Sequence, residues 1–147
     1  MTKVDIKYFD ERCKLSRGTN GSIGFDARAR IDEPVTIKAG EIAKIPLGFA
    51  LDMKDCDLGC FVFSRSGIST NHGVMCINSV GVVDSDYRGE VHACLWNTGA
   101  KGDFTIEPYD RIVQCIFINA EKVLLSNKDE LDESDRGTNG FNSTGVK

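Results

Sequence analysis

Short apolar runs separated by turn residues cover most of this chain, and almost none reaches helical length. They lie at residues 4–8, 25–31, 35–37, 42–53, 60–63, 74–77, 81–84, 91–96, 104–106 and 112–118. Glu41-Ile42-Ala43-Lys44-Ile45 and Thr105-Ile106-Glu107 alternate with the period of two that a strand with one buried face requires. Lys38-Ala39-Gly40, Asn97-Thr98-Gly99 and Pro108-Tyr109-Asp110 supply turns. Many short strands with regular turns predict an all-β sandwich or barrel.

One stretch breaks the pattern. Ser64-Arg65-Ser66-Gly67-Ile68-Ser69-Thr70-Asn71 follows the strand-like Cys60-Phe61-Val62-Phe63 but has poor strand propensity, and its serines can cap a helix of one or two turns. The first turn of such a helix points unpaired backbone N–H groups outward, where a phosphate can bind. After Val123-Leu124-Leu125 the apolar pattern stops. Residues 126–147 are polar and acidic, then glycine-rich, which divides the chain into a β domain over 1–125 and a flexible tail over 126–147. The tail carries Arg136, Phe141, Ser143 and Thr144 among residues that tolerate left-handed backbone, a composition suited to wrapping a phosphate and stacking a ring. The string Arg-Gly-Thr-Asn-Gly occurs at 17–21 and again at 136–140 with nothing shared on either side, and a turn of that composition arises twice for conformational reasons alone.

At 147 residues the chain has one domain's length, with 22 acidic against 18 basic residues. No block of Lys and Arg follows a nucleic-acid backbone, so nucleic-acid binding is not expected. A few arginines converging on one pocket can still hold a small anion. The amino-terminal stretch lacks the apolar core of a signal peptide, and a run of about eighteen apolar residues occurs nowhere. These features predict a soluble, cytoplasmic protein with no membrane partner. The six cysteines, at 13, 56, 60, 76, 94 and 115, are scattered through a chain large enough to build its own core and read as reduced thiols. His72 with Cys76 and His92 with Cys94 bring soft ligands close together. Paired C-x2-C clusters are missing, however, and Cys76, Cys94 and Cys115 sit in apolar runs as small hydrophobes, so structural zinc is not expected.

Candidate chemistry gathers around Asp84, which follows the apolar run 80–83 and precedes the polar turn Ser85-Asp86-Tyr87-Arg88-Gly89. An aspartate in that place is by itself usually a turn former. Its surroundings, Asn78-Ser79-Val80-Gly81-Val82-Val83-Asp84-Ser85-Asp86-Tyr87-Arg88-Gly89-Glu90, resemble the third signature of the trimeric dUTPase family, with its G-[VL]-[IV]-D-x-x-Y-x-G core intact. Gly24-Phe25-Asp26 resembles the first signature, Arg65-Ser66-Gly67 the second and Asp110-Arg111-Ile112-Val113-Gln114 the fourth. Arg136-Gly137 with Phe141-Asn142-Ser143-Thr144-Gly145 resembles the fifth. Each is weak alone, but five in order across nearly the whole chain are strong.

The resemblance implies a distorted jelly-roll-like β-barrel or sandwich with one short helix. It implies an enzyme that hydrolyses dUTP to dUMP and pyrophosphate, keeping uracil out of DNA and supplying dUMP for dTTP synthesis. Asp84 would activate the water that attacks the α-phosphorus, work suited to a carboxylate ionised at neutral pH. Tyr87 would pack against the deoxyribose and leave no room for a ribose hydroxyl. Asn78, with the backbone of Gly81, Val82 and Val83, would read the uracil edge, an amide offering both a donor and an acceptor. Arg65, Ser66 and Gly67 would hold the phosphate chain, and Gln114 would contact the α-phosphate.

Other assignments are less determined. His92 either stands near substrate, as the family often has it, or is a strand-surface histidine. Asp26 either orders the metal-water and sugar region or is a turn carboxylate, and Arg111 is either a phosphate contact or a structural ion-pair partner. Arg136, Ser143 and Thr144 would fold over the γ-phosphate while Phe141 stacks on uracil. The resemblance implies a homotrimer in which this lid comes from a neighbouring subunit, and residues 126–136, if extended, span roughly 30 Å, enough to reach it. Mg2+ is implied by the triphosphate, held by phosphate oxygens and water with no direct protein ligand. Departures from the family pattern are mild: Arg28 stands where an apolar residue is commoner, and Asn139 and Asn142 replace glycines, for which asparagine is the best substitute at positive φ.

Two other readings stay open. A dCTP deaminase of the same fold, or a bifunctional deaminase and dUTPase, carries a glutamate in the strand after the D-x-G-[FY]-x-G turn. Here that strand reads Val91-His92-Ala93-Cys94-Leu95, and Cys94, expected as a thiol facing the core, occupies the glutamate's place. The second is a protein that uses the dUTPase fold and its tail to bind a protein partner, against which the intact Asp84 and complete tail argue for retained hydrolysis.

Overall fold

The structure, a computed structural model, describes residues 2–54 and 57–138. In chain order the strands are β1 (Asp5–Tyr8), β2 (Phe25–Arg28), β3 (Val35–Ile37), β4 (Ile42–Pro46), β5 (Phe49–Asp52) and β6 (Leu58–Ser64). A helix, α1 (Ser66–His72), then precedes β7 (Val74–Cys76), β8 (Val80–Val83), β9 (His92–Asn97), β10 (Phe104–Ile106) and β11 (Arg111–Asn119). One sheet has the order β2-β11-β6-β8 and a second β4-β9-β7, while β1 with β5 and β3 with β10 form two-stranded ribbons. Every pairing is antiparallel. Ala27, Cys60, Val62, Val113 and Cys115 from the first sheet meet Ile45, Val74, Cys76, Ala93 and Leu95 from the second in one core with Leu47, Phe49 and Ile106. This is the all-β sandwich that the strand pattern predicts, with the jelly-roll-like form that the resemblance implies.

Two features depart from the sequence pattern. The apolar run 42–53 is two strands, broken at Gly48, where φ is +76° and a Cβ would sit 2.6 Å from the Cβ of Cys13. Because Leu47, Phe49 and Leu51 are all buried around the bend, hydrophobicity is continuous through it and the periodicity cannot register the break. Cys94 also does not face the core. On β9 it is Ala93, Leu95 and Asn97 that are buried, whereas His92, Cys94 and Trp96 are partly exposed on the opposite face, as period-two alternation demands. The five described cysteines carry free thiols, and Cys13, Cys60, Cys76 and Cys115 lie in the core. Burial pushes the Cys76 thiol up, and Cys115, which shares a hydrogen bond with Cys60, lies well above its ordinary value. These are inert packing groups.

Asn97 is the buried polar side chain that ties β9 to the β3–β10 ribbon. Its amide donates to the carbonyls of Ile37 (2.9 Å) and Gly102 (2.8 Å) and accepts from Gly99 N–H (3.0 Å), so each end is satisfied. Beyond β11, residues 120–138 form no strand or helix and are exposed. Among the described residues no helix is long and apolar enough to cross a membrane.

Replacing Asn97 with Ala removes three hydrogen bonds at once, one of them, to the Ile37 carbonyl, fully buried. It should lower the urea-unfolding free energy by about 3 kcal/mol. A loss under about 1 kcal/mol, the range of a neutral surface change, would show that water or backbone shifts replace those bonds.

Candidate active site

A pocket of about 240 Å³ opens beside β8, and Asn78, Gly81, Val82, Val83, Asp84, Tyr87 and His92 all line it, joined by Lys44 and Glu90. β8 is the edge strand of its sheet, paired to β6 on one side only, so backbone N–H and C=O groups on its other side have no strand partner among the described residues. Gly81 is where the chain must be bare. A Cβ there would lie 3.1 Å from Val62 Cβ and 3.3 Å from the Asn78 amide nitrogen, so glycine lets the Asn78 amide fold over the strand. A tight turn puts Asn78 there: Ser79 N–H donates to Cys76 O (3.0 Å), Val80 N–H to Asn78 O (2.7 Å), and Ser79 takes φ +61°.

At the other end of β8 the chain turns through Asp84 to Tyr87, whose N–H donates to Asp84 O (3.2 Å). The Tyr87 ring lies across Gly89, where a Cβ would come within 2.6 Å of Tyr87 Cζ. The Tyr87 hydroxyl donates to the Glu90 carbonyl (3.2 Å), and His92 Nδ1 lies 2.9 Å from that same oxygen. A carbonyl can only accept, so Nδ1 carries the proton and Nε2 is the nitrogen left for a ligand. Glu90 is itself held by Arg30, Nε to Oε1 at 2.8 Å and the terminal nitrogen to Oε2 at 2.7 Å, and by Gly48 N–H at 2.9 Å. The Arg30 guanidinium keeps this carboxyl below its usual range, with burial opposing and the Gly48 N–H assisting. Sequence reasoning assigned no role to Arg30, Lys44 or Glu90. Arg30 pairs with a residue sixty positions away, and no local pattern signals that.

The remaining site residues form a second cluster. Asp26 on β2 accepts from Arg65 Nε (2.9 Å) with one oxygen and from Arg111 (3.1 Å) with the other, while Arg65 also donates to the Arg111 carbonyl (2.8 Å). A register shift between Arg111 and Val113 makes this reach possible, and it leaves both Ile112 and Val113 buried in succession. Gln114, opposite Asp26, donates to the Ser64 carbonyl (3.1 Å) and packs where a Cβ on Gly24 would come within 2.8 Å of its Oε1. The helix begins without the serine cap expected of it: Arg65 is the cap residue and makes no side-chain cap bond, while Ser69 Oγ donates back to Arg65 O. Ser66 and Gly67 are exposed at its first turn.

None of Asp26, Arg65, Ser66, Gly67, Arg111 and Gln114 lines the β8 pocket. The register explains why. Val83 lies opposite Cys60, so Asp84 leaves the sheet level with Gly59, six residues from Arg65 along β6. That is roughly 20 Å at strand rise. Arg136 is exposed in a turn where Gly137 N–H donates to Ser134 O (2.9 Å); Phe141, Ser143 and Thr144 lie outside the described residues. Among the described residues no three His, Cys, Asp or Glu side chains are placed to hold a metal.

Fold and site together define a β-sandwich protein with a carboxylate on the rim of a small-ligand pocket and a distinct guanidinium cluster. The dUTPase family model matches residues 12–145. The chain is 42% identical over 147 residues to the deoxyuridine 5'-triphosphate nucleotidohydrolase of Desulfitobacterium hafniense, covering 98% of this chain and 97% of that one. It is 40% identical over 148 residues to the enzyme of the same name from Nitrosospira multiformis, covering 99% of each. Its fold matches that of a Staphylococcus bacteriophage 80alpha dUTPase solved with dUpNHpp, with a TM-score of 0.87 and 21% identity over 99% of this chain and 100% of that one. The chain belongs to the dUTPase family, and it is a dUTP diphosphatase.

The Glu90–Arg30 pair carries a pH signature. The folded carboxyl binds its proton less readily than the unfolded one, whose ordinary value is 4.5. The pair's contribution is therefore complete above that value and is lost as pH falls through the lowered one. In urea titrations from neutral pH to pH about 3, the stability gap between the parent and Glu90→Gln should narrow below 4.5. A gap constant with pH would contradict this account of Glu90.

Proposed function

We propose that the chain hydrolyses dUTP to dUMP and pyrophosphate by attack of an Asp84-activated water on the α-phosphorus, in sites completed by neighbouring copies of a homotrimer. The observation that carries this reading is the single pocket in which Asn78, the β8 edge, Tyr87, His92 and Asp84 converge. Uracil is read by the Asn78 amide and the free backbone groups of Gly81, Val82 and Val83, which offer both donors and acceptors. Tyr87, lying over Gly89, walls the sugar side. Asp84 takes a proton from water as the oxygen bonds to the α-phosphorus, and pyrophosphate departs with the electrons of the bond that breaks. His92 Nε2 is available to the same ligand.

Arg65, Ser66, Gly67 and Gln114 grip the phosphates, with both oxygens of Asp26 spent on aiming Arg65 and tethering Arg111. That makes Arg111 a structural partner in the grip. The distance along β6 places this cluster beyond reach of a triphosphate seated at Asp84 of the same copy, so the grip comes from a neighbour. The tail over 126–147, past the β domain of 1–125, closes over the assembled site with Arg136, Ser143 and Thr144 on the γ-phosphate and Phe141 on uracil, expelling water. Mg2+ would arrive on the triphosphate, held through phosphate oxygens and water. When bound it neutralises phosphate charge and fixes the α-phosphate for attack.

Pyrophosphate release in magnesium buffer should be fast with dUTP and very slow with dTTP, dCTP and UTP; comparable rates on UTP would sink the role of Tyr87. Asp84→Asn should lower turnover by about a hundredfold or more while a non-hydrolysable dUTP analogue still binds, and retained turnover would reject Asp84 as the base. A chain ending at Ser134 should fold yet turn over at least about tenfold more slowly. An unchanged rate would mean that the tail closes over nothing.

A further inference from the structure

We infer that Arg30 and Glu90 are a positioning pair that sets the sugar selectivity of the pocket, by holding the one carbonyl on which Tyr87 and His92 both hang. The inference rests on the assignment of Tyr87 to the sugar side of the pocket. Glu90 turns its two ends to different tasks. Its carbonyl accepts from the Tyr87 hydroxyl at 3.2 Å and from His92 Nδ1 at 2.9 Å. Its carboxylate points away into the Arg30 fork, at 2.8 and 2.7 Å, and onto Gly48 N–H at 2.9 Å. The Glu90 side chain is 16% exposed. A bidentate, charge-assisted and half-buried contact holds its partner's orientation more firmly than a single neutral hydrogen bond.

The frame behind the fork is rigid. Arg30 N–H donates to Pro46 O (2.8 Å), Leu47 N–H to Val91 O (3.0 Å) and Val91 N–H to Phe49 O (2.9 Å). Val91, directly after Glu90, is thus pinned on both backbone groups and buried. Gly48 has no substitute, since its φ is +76° and a Cβ would strike Cys13. The Glu90 carbonyl shares one peptide plane with the Val91 N–H, so the frame fixes that plane from the Val91 side and the carboxylate fork fixes it from the Glu90 side.

Tyr87 feels the consequence. It is 46% exposed, and the bond from its hydroxyl to Glu90 fixes its tilt over Gly89. A site that refuses a hydroxyl by shape discriminates only as well as its wall is stiff. If the Arg30 fork is broken, the Glu90 carboxylate is free to turn to water, the Glu90–Val91 peptide plane is held from the Val91 side alone, and the ring gains the tilt that admits a ribose. Loss of a merely structural ion pair would slow dUTP and UTP hydrolysis alike, whereas loss of a positioning pair shifts their ratio.

The test is pyrophosphate release by the full chain in magnesium buffer, comparing kcat/KM for dUTP with that for UTP. Arg30→Gln and Glu90→Gln should each lower the dUTP/UTP ratio by about tenfold, chiefly by raising the UTP value, and Arg30→Lys, which keeps the charge without the fork, should fall between them and the parent. Tyr87→Ala is the reference for the wall itself. An unchanged ratio in folded Arg30→Gln and Glu90→Gln, with a collapsed ratio in Tyr87→Ala, would overturn the positioning role and leave the wall standing. An unchanged ratio in Tyr87→Ala would overturn the wall, and the positioning role with it. Thermal melting of each variant shows which are folded, and should Arg30→Gln not fold, Glu90→Gln and Arg30→Lys decide the question.

Discussion

Strand β11 is hydrogen-bonded along both of its edges, to β2 and to β6, and the placement of the Asp26 cluster relative to Asp84 follows from that. Through β2 it sets Asp26 beside Gln114, and through its register shift it brings Arg111 to the same carboxylate. Through β6 it fixes Ser64 and Arg65 at one end of the sheet and, one strand further, β8 with Asp84 at the other. A strand paired on both sides cannot slip by one residue without turning a buried face outward. The two clusters are thus held at a fixed separation by backbone geometry, independent of any side-chain contact between them.

That separation is the physical basis for reading the active site as shared. The β8 pocket has a free sheet edge, an amide and an aromatic wall, which suit a base and a sugar, but Asp84 and His92 are poor partners for a triphosphate. The Asp26 cluster has guanidinium groups and an exposed helix start, which suit phosphates, and it lies outside the β8 pocket. Each half lacks what the other supplies. Symmetric assembly of identical chains joins such halves without new sequence, because a head-to-tail interface repeated around a closed ring brings unlike surfaces together at every contact.

Much of this was legible in the chain. Alternating residues and turn glycines marked strands such as β4 and β9, where more and less buried positions alternate, and Gly40 and Gly99 sit at positive φ as the turns required. The Asp84 segment was legible as a unit because Asn78 to Tyr87 is contiguous, and the structure brings Asn78, Asp84 and Tyr87 to one pocket. The break at Gly48 was hidden by burial on both sides of the bend, and the direction of Cys94 was misjudged from apolar neighbours when the alternation of β9 already placed it with His92 and Trp96. That Asp26 accepts from both Arg65 and Arg111 was not legible, because the three residues meet only through the pairing of β11 with β2 and β6. The Arg30–Glu90 fork joins positions sixty residues apart through a fold that had first to exist.

The central claim is that a pocket from one copy works with an arginine from another, and mixing two inactive variants tests it most directly. Asp84→Asn and Arg65→Gln, each nearly inactive alone, would be unfolded together and refolded as an equimolar mixture. Turnover should return to about a quarter of the parent rate per chain, the share of interfaces at which an intact Asp84 meets an intact Arg65 in a random ring. A mixture no more active than its components would contradict the shared site and return Arg65 to the chain that carries Asp84.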